Sequence, residues 1–304
     1  MRSGQTGLRT TWRLLWWLPL LACAGVAAAA DGALTVMTWN VENYVAEDRM
    51  VDGEYRTGFP KPEKAKTALR AAIREATPDV LALQEMGPEP YLEELQRDLA
   101  AEGLAFPYRA LLDGPDPQRH VAVLSRVPLL RVTPHKEVPH HGGGAPNLVR
   151  RGVLEVAVAL GAGELTLFVV HLKSRHTNDP ADPNSAAQRQ GEAGAVRDLV
   201  LRRCPRPETA AFLLLGDCND APRSRPVQAL LRRGGTTIAE MLPALDAGGD
   251  GWTHHYRKEE VFSRVDYILV SPALRPVVTR MWVHDSPAVR AASDHRPVLV
   301  RLRR

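Results

Sequence analysis

The sequence predicts a mixed α/β fold in which two β-sheets are covered by helices within one domain. Three observations point there. Helical patterns interleave with strands at both ends of the chain, the middle is strand-rich, and no internal repeat or low-complexity linker divides it. The 304 residues are 44% hydrophobic, enough for a packed core.

Taken from the start, the first thirty residues stand apart. Arg2, Arg9 and Arg13 precede "LLWWLPLLACAGVAAAA" (14–30), which carries no charge and ends in small residues before Asp31. That is the pattern of a secretory signal peptide. We therefore expect residues 1–30 to be removed near Ala30, leaving residues 31–304 as one catalytic domain, secreted or periplasmic, with no stable membrane span. A retained anchor is the weaker alternative, because the run contains Pro19 and is short for a span of about 20 residues. Lipid attachment at Cys23 is a minor alternative. Removal of three Arg lowers the net charge from +4 to +1, with 36 basic residues against 35 acidic. A global basic field for nucleic acid is therefore not expected. The local cluster "RLRR" (301–304) reads as solvated charge. Cys204 and Cys218 remain, and a bridge and two buried thiols are both compatible with the sequence.

The mature part opens with "ALTVMTW" (33–39), an apolar strand. "PEKAKTALRAAIREA" (62–76) has helical spacing with Pro at its first turn. "PDVLALQE" (78–85) is a strand ending in an acid, and "PYLEELQRDLAAEG" (90–103) a helix closed by Gly103. Strands follow at 119–125, 151–159 and 164–172, the last two joined by "GAG" (161–163). "SAAQRQGEAGAVRDLVLRR" (185–203) is a long helix, with Ser185 expected as its cap. Strands at 211–217, 264–270, 277–283 and 297–302 complete the chain. Long loops are expected at 45–60, 139–147 and 175–184. His140 and His141 in the second are expected in solvent, and His254 and His255 to pack at a strand edge.

Chemistry concentrates at the strand ends. "TWNVEN" (38–43) supplies Asn40 and Glu42, and "ALQE" (82–85) supplies Glu85. "FVVHLKSR" (168–175) supplies His171 and Lys173, and "LLLGDCND" (213–220) supplies Asp217 and Asn219. "SDHRPVLV" (293–300) supplies Asp294 and His295. Taken singly, each has a turn or capping explanation. Asp266, inside "SRVDYILVS" (263–271), is harder to dismiss. An unpaired buried carboxylate costs several kcal/mol, so it needs a partner, and His295 is the candidate.

Taken together, the ordered series W-N-x-E, L-Q-E, H-L-K-S, G-D-x-N, R-x-D-Y-I and S-D-H-R-P resembles the endonuclease/exonuclease/phosphatase superfamily, the DNase I-like group that includes inositol polyphosphate phosphatases and bacterial sphingomyelinases. The resemblance spans about residues 34–302. It implies a four-layer α/β/β/α sandwich of two mixed sheets flanked by helices, in a monomeric secreted bacterial-type enzyme. It also implies divalent-metal-dependent cleavage of a phosphate ester. By position, Asn40 and Glu85 match the metal site, with Glu42 and Asp294 as nearby acids. Asp217 and Asn219 match the groups that handle the attacking water and the phosphate. Asp266 and His295 match a buried Asp–His pair, His171 a catalytic imidazole, and Arg151 and Lys173 phosphate contacts. Cys218 departs from the pattern, since an aromatic or aliphatic residue is usual there.

Elementary chemistry agrees. Mg²⁺ wants oxygen ligands and keeps several waters, whereas zinc would ask for more His or Cys. The oxygen set points to Mg²⁺, with Mn²⁺ or Ca²⁺ as alternatives. The favoured substrate is a nucleic acid, cleaved by endo- or exonuclease action. Lipid headgroups or small phosphorylated molecules are the alternative. A binding module with a dead site is disfavoured, because every polar group the chemistry needs is present.

Overall fold

The computed structural model describes residue 1 and residues 32–142 and 146–304. The expected signal peptide and the lipid-attachment cysteine fall outside the described residues. Residues Gly32–Arg304 form one contact unit. In chain order its main strands are β1 (Ala33–Tyr44), β2 (Val80–Met86), β3 (Tyr108–Leu112), β4 (His120–Ser125), β5 (Arg131–His135), β6 (Val153–Leu160), β7 (Gly163–His171), β8 (Phe212–Asp217), β9 (Glu240–Met241), β10 (Asp266–Val270), β11 (Val278–Val283) and β12 (Val298–Arg303). The helices are α1 (Glu63–Ala76), α2 (Glu89–Ala101), α3 (Ala186–Arg203), α4 (Arg225–Leu231) and α5 (Pro287–Ala292).

Two mixed six-stranded sheets result, ordered β11-β12-β1-β2-β4-β3 and β9-β10-β8-β7-β6-β5. Each contains one parallel pair. β1 pairs with β2 across helix α1, and β7 with β8 across helix α3. A parallel pair needs such a crossover, because a short hairpin can only reverse the chain. Both crossovers therefore deliver two carboxyl-terminal strand ends side by side, one pair per sheet.

Alternation along the strands builds three apolar layers. Leu34, Val36, Leu167, Val169, Leu213, Leu215, Ile268 and Val300 face the space between the sheets. The opposite residues Met37, Trp39, Leu81 and Leu83 pack under α1 and α2 through Leu69, Ile73, Leu92 and Leu95. Phe168, Val170, Phe212 and Leu214 pack under α3 through Val196 and Val200. The sequence satisfies a period of 2 on the strands and 3.6 on the helices at once. The outcome is the helix–sheet–sheet–helix sandwich expected from the resemblance.

Several expectations need correction. The loop 45–60 contains a hairpin, Glu47–Val51 paired with Glu54–Phe59. Strands β3, β5 and β9 and helices α4 and α5 are additional, and none exceeds seven residues, too short to display a period. Ser185 begins α3 but makes no side-chain cap, since its φ is 48°. The Asp182 carboxylate accepts from the Ala187 and Gln188 N–H groups instead, at 3.1 and 3.0 Å. His141 is exposed, but His140 is buried, because its loop packs on α3. Its Nδ1 accepts from Gly142 N–H at 3.0 Å. Cys204 and Cys218 are both buried, unpaired thiols. Among the described residues, no helix is long and apolar enough to cross a membrane.

Candidate active site

The inter-sheet layer turns polar at one end. On β1 the inward series Leu34, Val36, Thr38 continues to Asn40, and on β7 Leu165, Leu167, Val169 continues to His171. On β8 the series Leu213, Leu215 continues to Asp217, and on antiparallel β10 Val270, Ile268 leads to Asp266. Four strands thus turn polar on their core-facing side at this one end. All four of these polar residues are 1% exposed. The sheets meet there directly: Asn40 Nδ2 donates to Asp217 Oδ2 at 3.0 Å.

Local backbone irregularity sets the remaining side chains. Glu42, Asn43, Glu85 and Asn219 have φ of 48°, 53°, 60° and 53°, a region sparsely used by residues with a Cβ. The β1–β2 register shifts between Asn40 and Tyr44. This irregularity turns the Glu85 carboxylate, so that Oε2 accepts from Asn43 N–H at 2.9 Å while Oε1 lies 3.9 Å from His171 Nε2. Gly216, before Asp217, has φ 138°, and a Cβ there would lie 1.9 Å from the Val170 carbonyl oxygen. Only glycine lets β8 approach β7 this closely.

Asp217 is held on several sides. Asn40 and Asn219 side-chain amides both donate to Oδ2, at 3.0 and 3.1 Å, and Asn219 N–H donates to Oδ1 at 2.8 Å. Burial and the neighbouring Asp266 charge push its carboxyl up to about 7, against the pull of His295. That value suits a group exchanging protons near neutrality. His295 Nδ1 lies 2.8 Å from Asp266 Oδ2. Burial opposes the imidazolium, but Asp266, with Asp217 and Asp294, outweighs it and holds His295 well above the ordinary range. His171 goes the other way. Burial, then Arg151 and His295, hold it well below that range, so it is a neutral ring 3.5 Å from Asp217 Oδ2.

The 293–295 turn is fastened to β1. Ser293 Oγ donates to the Asn40 carbonyl at 2.9 Å, Trp39 Nε1 donates to the His295 carbonyl at 2.9 Å, and Asp294 N–H donates to Glu42 Oε2 at 3.2 Å. Glu42 also lies 3.9 Å from Lys61 Nζ and 3.9 Å from Arg257 Nη1. The structure therefore brings Asn40, Glu42, Glu85, His171, Asp217, Asn219, Asp266, Asp294 and His295 to one sheet end. Arg151 lies beside them, near enough for its charge to act on His171 and for the Glu85 charge to act on it. Its guanidinium is buried, 3.3 Å from Asp116, with Nε and Nη1 lacking a hydrogen-bond acceptor. Lys173 behaves differently from the expectation of a phosphate contact. Its ammonium donates to the Ser174 and His176 carbonyls, folding the loop that follows.

Two supporting residues escaped the sequence reading, and a third, His254, was expected only to pack at a strand edge. Glu192 on α3 is fully buried and accepts from Arg150 and Lys173 N–H at 3.2 and 2.7 Å, tying two site loops together. Arg189, one turn earlier, holds Asp220 at 2.9 Å and the Lys173 carbonyl at 3.1 Å. The signal was present: both occupy the buried stripe that continues through Val196 and Val200. His254 lies 3.7 Å from Asp294 and packs its ring against His295, centroids 4.5 Å apart. No sequence period announces that contact.

The donor set fits a hard divalent cation. Asn40, Glu42, Glu85 and Asp294 offer oxygens at the same sheet end, where Asn40 Oδ1 accepts from Glu42 N–H at 3.0 Å and the Asp294 and Glu85 charges act on Glu42. Burial and the Asp294 charge push Glu42 up, and a cation would relieve this crowding of carboxylates. His254, Asp294 and His295 also place ligand atoms within 4.8 Å of one another, as do Asp217, Asp266 and His295. The second trio is already joined by the Asp266–His295 hydrogen bond.

A family model described as "Endonuclease/Exonuclease/phosphatase family" matches residues 37–295. Similar solved structures include an endonuclease/exonuclease/phosphatase family protein from Leptotrichia buccalis C-1013-b, 17% identical with a TM-score of 0.60 over 88% of this chain and 99% of that one. The human Nocturnin catalytic domain with bound sulfate anion is 16% identical, with a TM-score of 0.62 over 89% and 94%. Sphingomyelinase C from Streptomyces griseocarneus is 16% identical, with a TM-score of 0.55 over 89% and 99%. At these identities the likeness concerns the fold. No curated protein sequence matches the chain.

Proposed function

The chain belongs to the Endonuclease/Exonuclease/phosphatase family, which hydrolyses phosphoester bonds, and from that premise we propose that it is a Mg²⁺-dependent phosphodiesterase acting on nucleic acid. One observation supports this most. A proton-accepting Asp217, a charged Asp266–His295 pair and an oxygen-rich ligand set share one polar sheet end. Mg²⁺ held by Asn40 and Glu85, with Glu42 and Asp294 nearby, would neutralise a phosphate oxygen and the departing alkoxide.

The chain's own groups supply the remainder. Asp217, fixed by three N–H donors, takes the proton of the attacking water. Asn219 donates its amide to the Leu172 carbonyl and Asp217, at 3.0 and 3.1 Å, so it fixes that carboxylate's direction. His295 keeps its proton because Asp266 faces Nδ1, and its other N–H meets charge growing on the phosphoryl oxygens. Neutral His171 contributes a donor on the Glu85 side. Arg151 has buried nitrogens without acceptors, and a phosphate oxygen is the natural acceptor for them.

The alternative substrate, a lipid headgroup, draws on exposed Met50 and Tyr55 in the hairpin after β1. The same hairpin carries Glu47, Asp48, Arg49, Asp52, Glu54 and Arg56, which suits water better than a membrane interior. We also propose that the mature enzyme is exported, on the strength of the uncharged run behind Arg13. Purified protein given plasmid DNA, RNA, sphingomyelin vesicles and a phosphomonoester, with Mg²⁺ and with chelator, tests the reading. Metal-dependent cutting of DNA or RNA is expected. Turnover in excess chelator, or of the monoester alone, would refute it.

A further inference from the structure

A cleft of about 630 Å³ opens beside Asp294, lined by Trp252, His255, Arg257, Phe262 and Arg290. Its wall is the hairpin His254–Tyr256 paired with Val261–Ser263. The His255 and Phe262 rings lie parallel, 10° apart in plane and 4.2 Å between centroids. Trp252 meets Phe262 edge-on, at 62° and 4.8 Å. His255 Nε2 is 3.1 Å from Glu260 Oε2, which holds the ring of the stack in place. Arg296 pins Trp252 from the other direction, 3.4 Å over its ring and paired with Asp246 at 2.6 Å.

Phe262 is nonetheless 50% exposed. His255 covers one face and Trp252 touches it edge-on, so the exposed part includes the second face. A half-exposed aromatic face ending a fixed stack, beside a site that handles phosphate, is unfavourable to leave in water. Its complement is another flat ring. Arg257, half exposed in the turn of the hairpin, lines the same cleft and lies 3.9 Å from Glu42. Arg257 and Arg290 disfavour a quaternary ammonium group, which takes aromatic surface free of competing cations.

We propose that Phe262, with His255 and Trp252 behind it, is a stacking subsite for one nucleobase of the strand being cut. The inference rests on the phosphodiesterase reading and narrows it: a base can reach Phe262 only when unstacked from its own helix, so the substrate is single-stranded or locally unpaired. The phosphate next to that base would then lie toward Arg257 and Asp294, at the catalytic end of the cleft.

The test is binding without turnover. A labelled single-stranded deoxyoligonucleotide and a fully abasic strand of equal length are titrated against the mature protein in excess chelator, with strand integrity checked afterwards. Wild type should bind the base-bearing strand about tenfold more tightly or better, since base–aromatic stacking is worth ~1–3 kcal/mol per base. Phe262→Ala and Phe262→Leu should both bring that ratio toward one, because leucine keeps the apolar bulk but not the ring. Phe262→Trp should retain it. Equal wild-type affinity for the two strands, or a ratio unchanged in Phe262→Leu, overturns the subsite. The substrate panel is read separately. A retained ratio with no phosphodiester cut by the metal-loaded enzyme would instead overturn the catalytic reading.

Discussion

Two residues separate chemistry from scaffolding most sharply. Burial and Asp266 push the Asp217 carboxyl up to about 7, and His295 is the imidazole that its neighbours keep charged. Replacing either by alanine should lower turnover by about 10²-fold or more, the usual contribution of a positioned proton-transfer group. Steady-state rates of the two variants check this, and near-wild-type rates in either would remove its role. The pH profile follows from the same shifts. Asp217 works ionised, so kcat/KM should climb as pH rises toward 7. His295 works protonated and titrates later, so the fall belongs on the alkaline side. A cation beside Asn40 favours the Asp217 anion, so raising metal concentration should move the acid limb to lower pH. Profiles at two Mg²⁺ concentrations test this, and a rate flat between about pH 5 and 8 contradicts the assignment.

At the scale of elements, the site depends on how closely β7 and β8 approach. Gly216→Ala places a Cβ against the Val170 carbonyl at a φ that L-residues avoid. We expect a loss of more than about 3 kcal/mol, because neither strand can shift without breaking its ladder. Denaturant unfolding measures it, and a loss below about 1 kcal/mol would show that the approach is looser. The glycine was visible in "LLLGD", as was the polar residue ending each core-facing series. Long elements were equally legible: α1 and α3 begin within one residue of their expected starts. The hairpin at 47–59 was not, since charges on both faces erase its alternation. Nor was the His254–His295 stacking or the Asp182 cap. Those depend on where distant loops land, and local periodicity carries no record of that.

The whole molecule is two sheets whose contact is apolar along its length and polar at one end. Asn40 and Glu85 belong to the first sheet, Asp217 and His171 to the second, and at that end the sheets share the Asn40–Asp217 hydrogen bond and charged groups. Without a cation, this end crowds the buried Asp217 and Asp266 with the half-buried Glu42, Glu85 and Asp294, so it should be the weakest part of the sandwich. A cation bound there favours the folded chain, because the unfolded chain has no assembled ligand set. At a metal concentration 100 times the dissociation constant the gain is about 2.7 kcal/mol. For a chain this long the melting temperature should then rise by several degrees with Mg²⁺ or Mn²⁺ and return on chelation. Asn40→Ala should melt lower than wild type in saturating metal and lose most of that increment. Glu192→Gln, on the buried face of α3, should lower the baseline but keep the increment, because it loosens loops without removing a ligand. A melting temperature indifferent to both metals, in protein shown to be folded, would mean that this polar end is stable by itself and that no cation belongs to the resting enzyme.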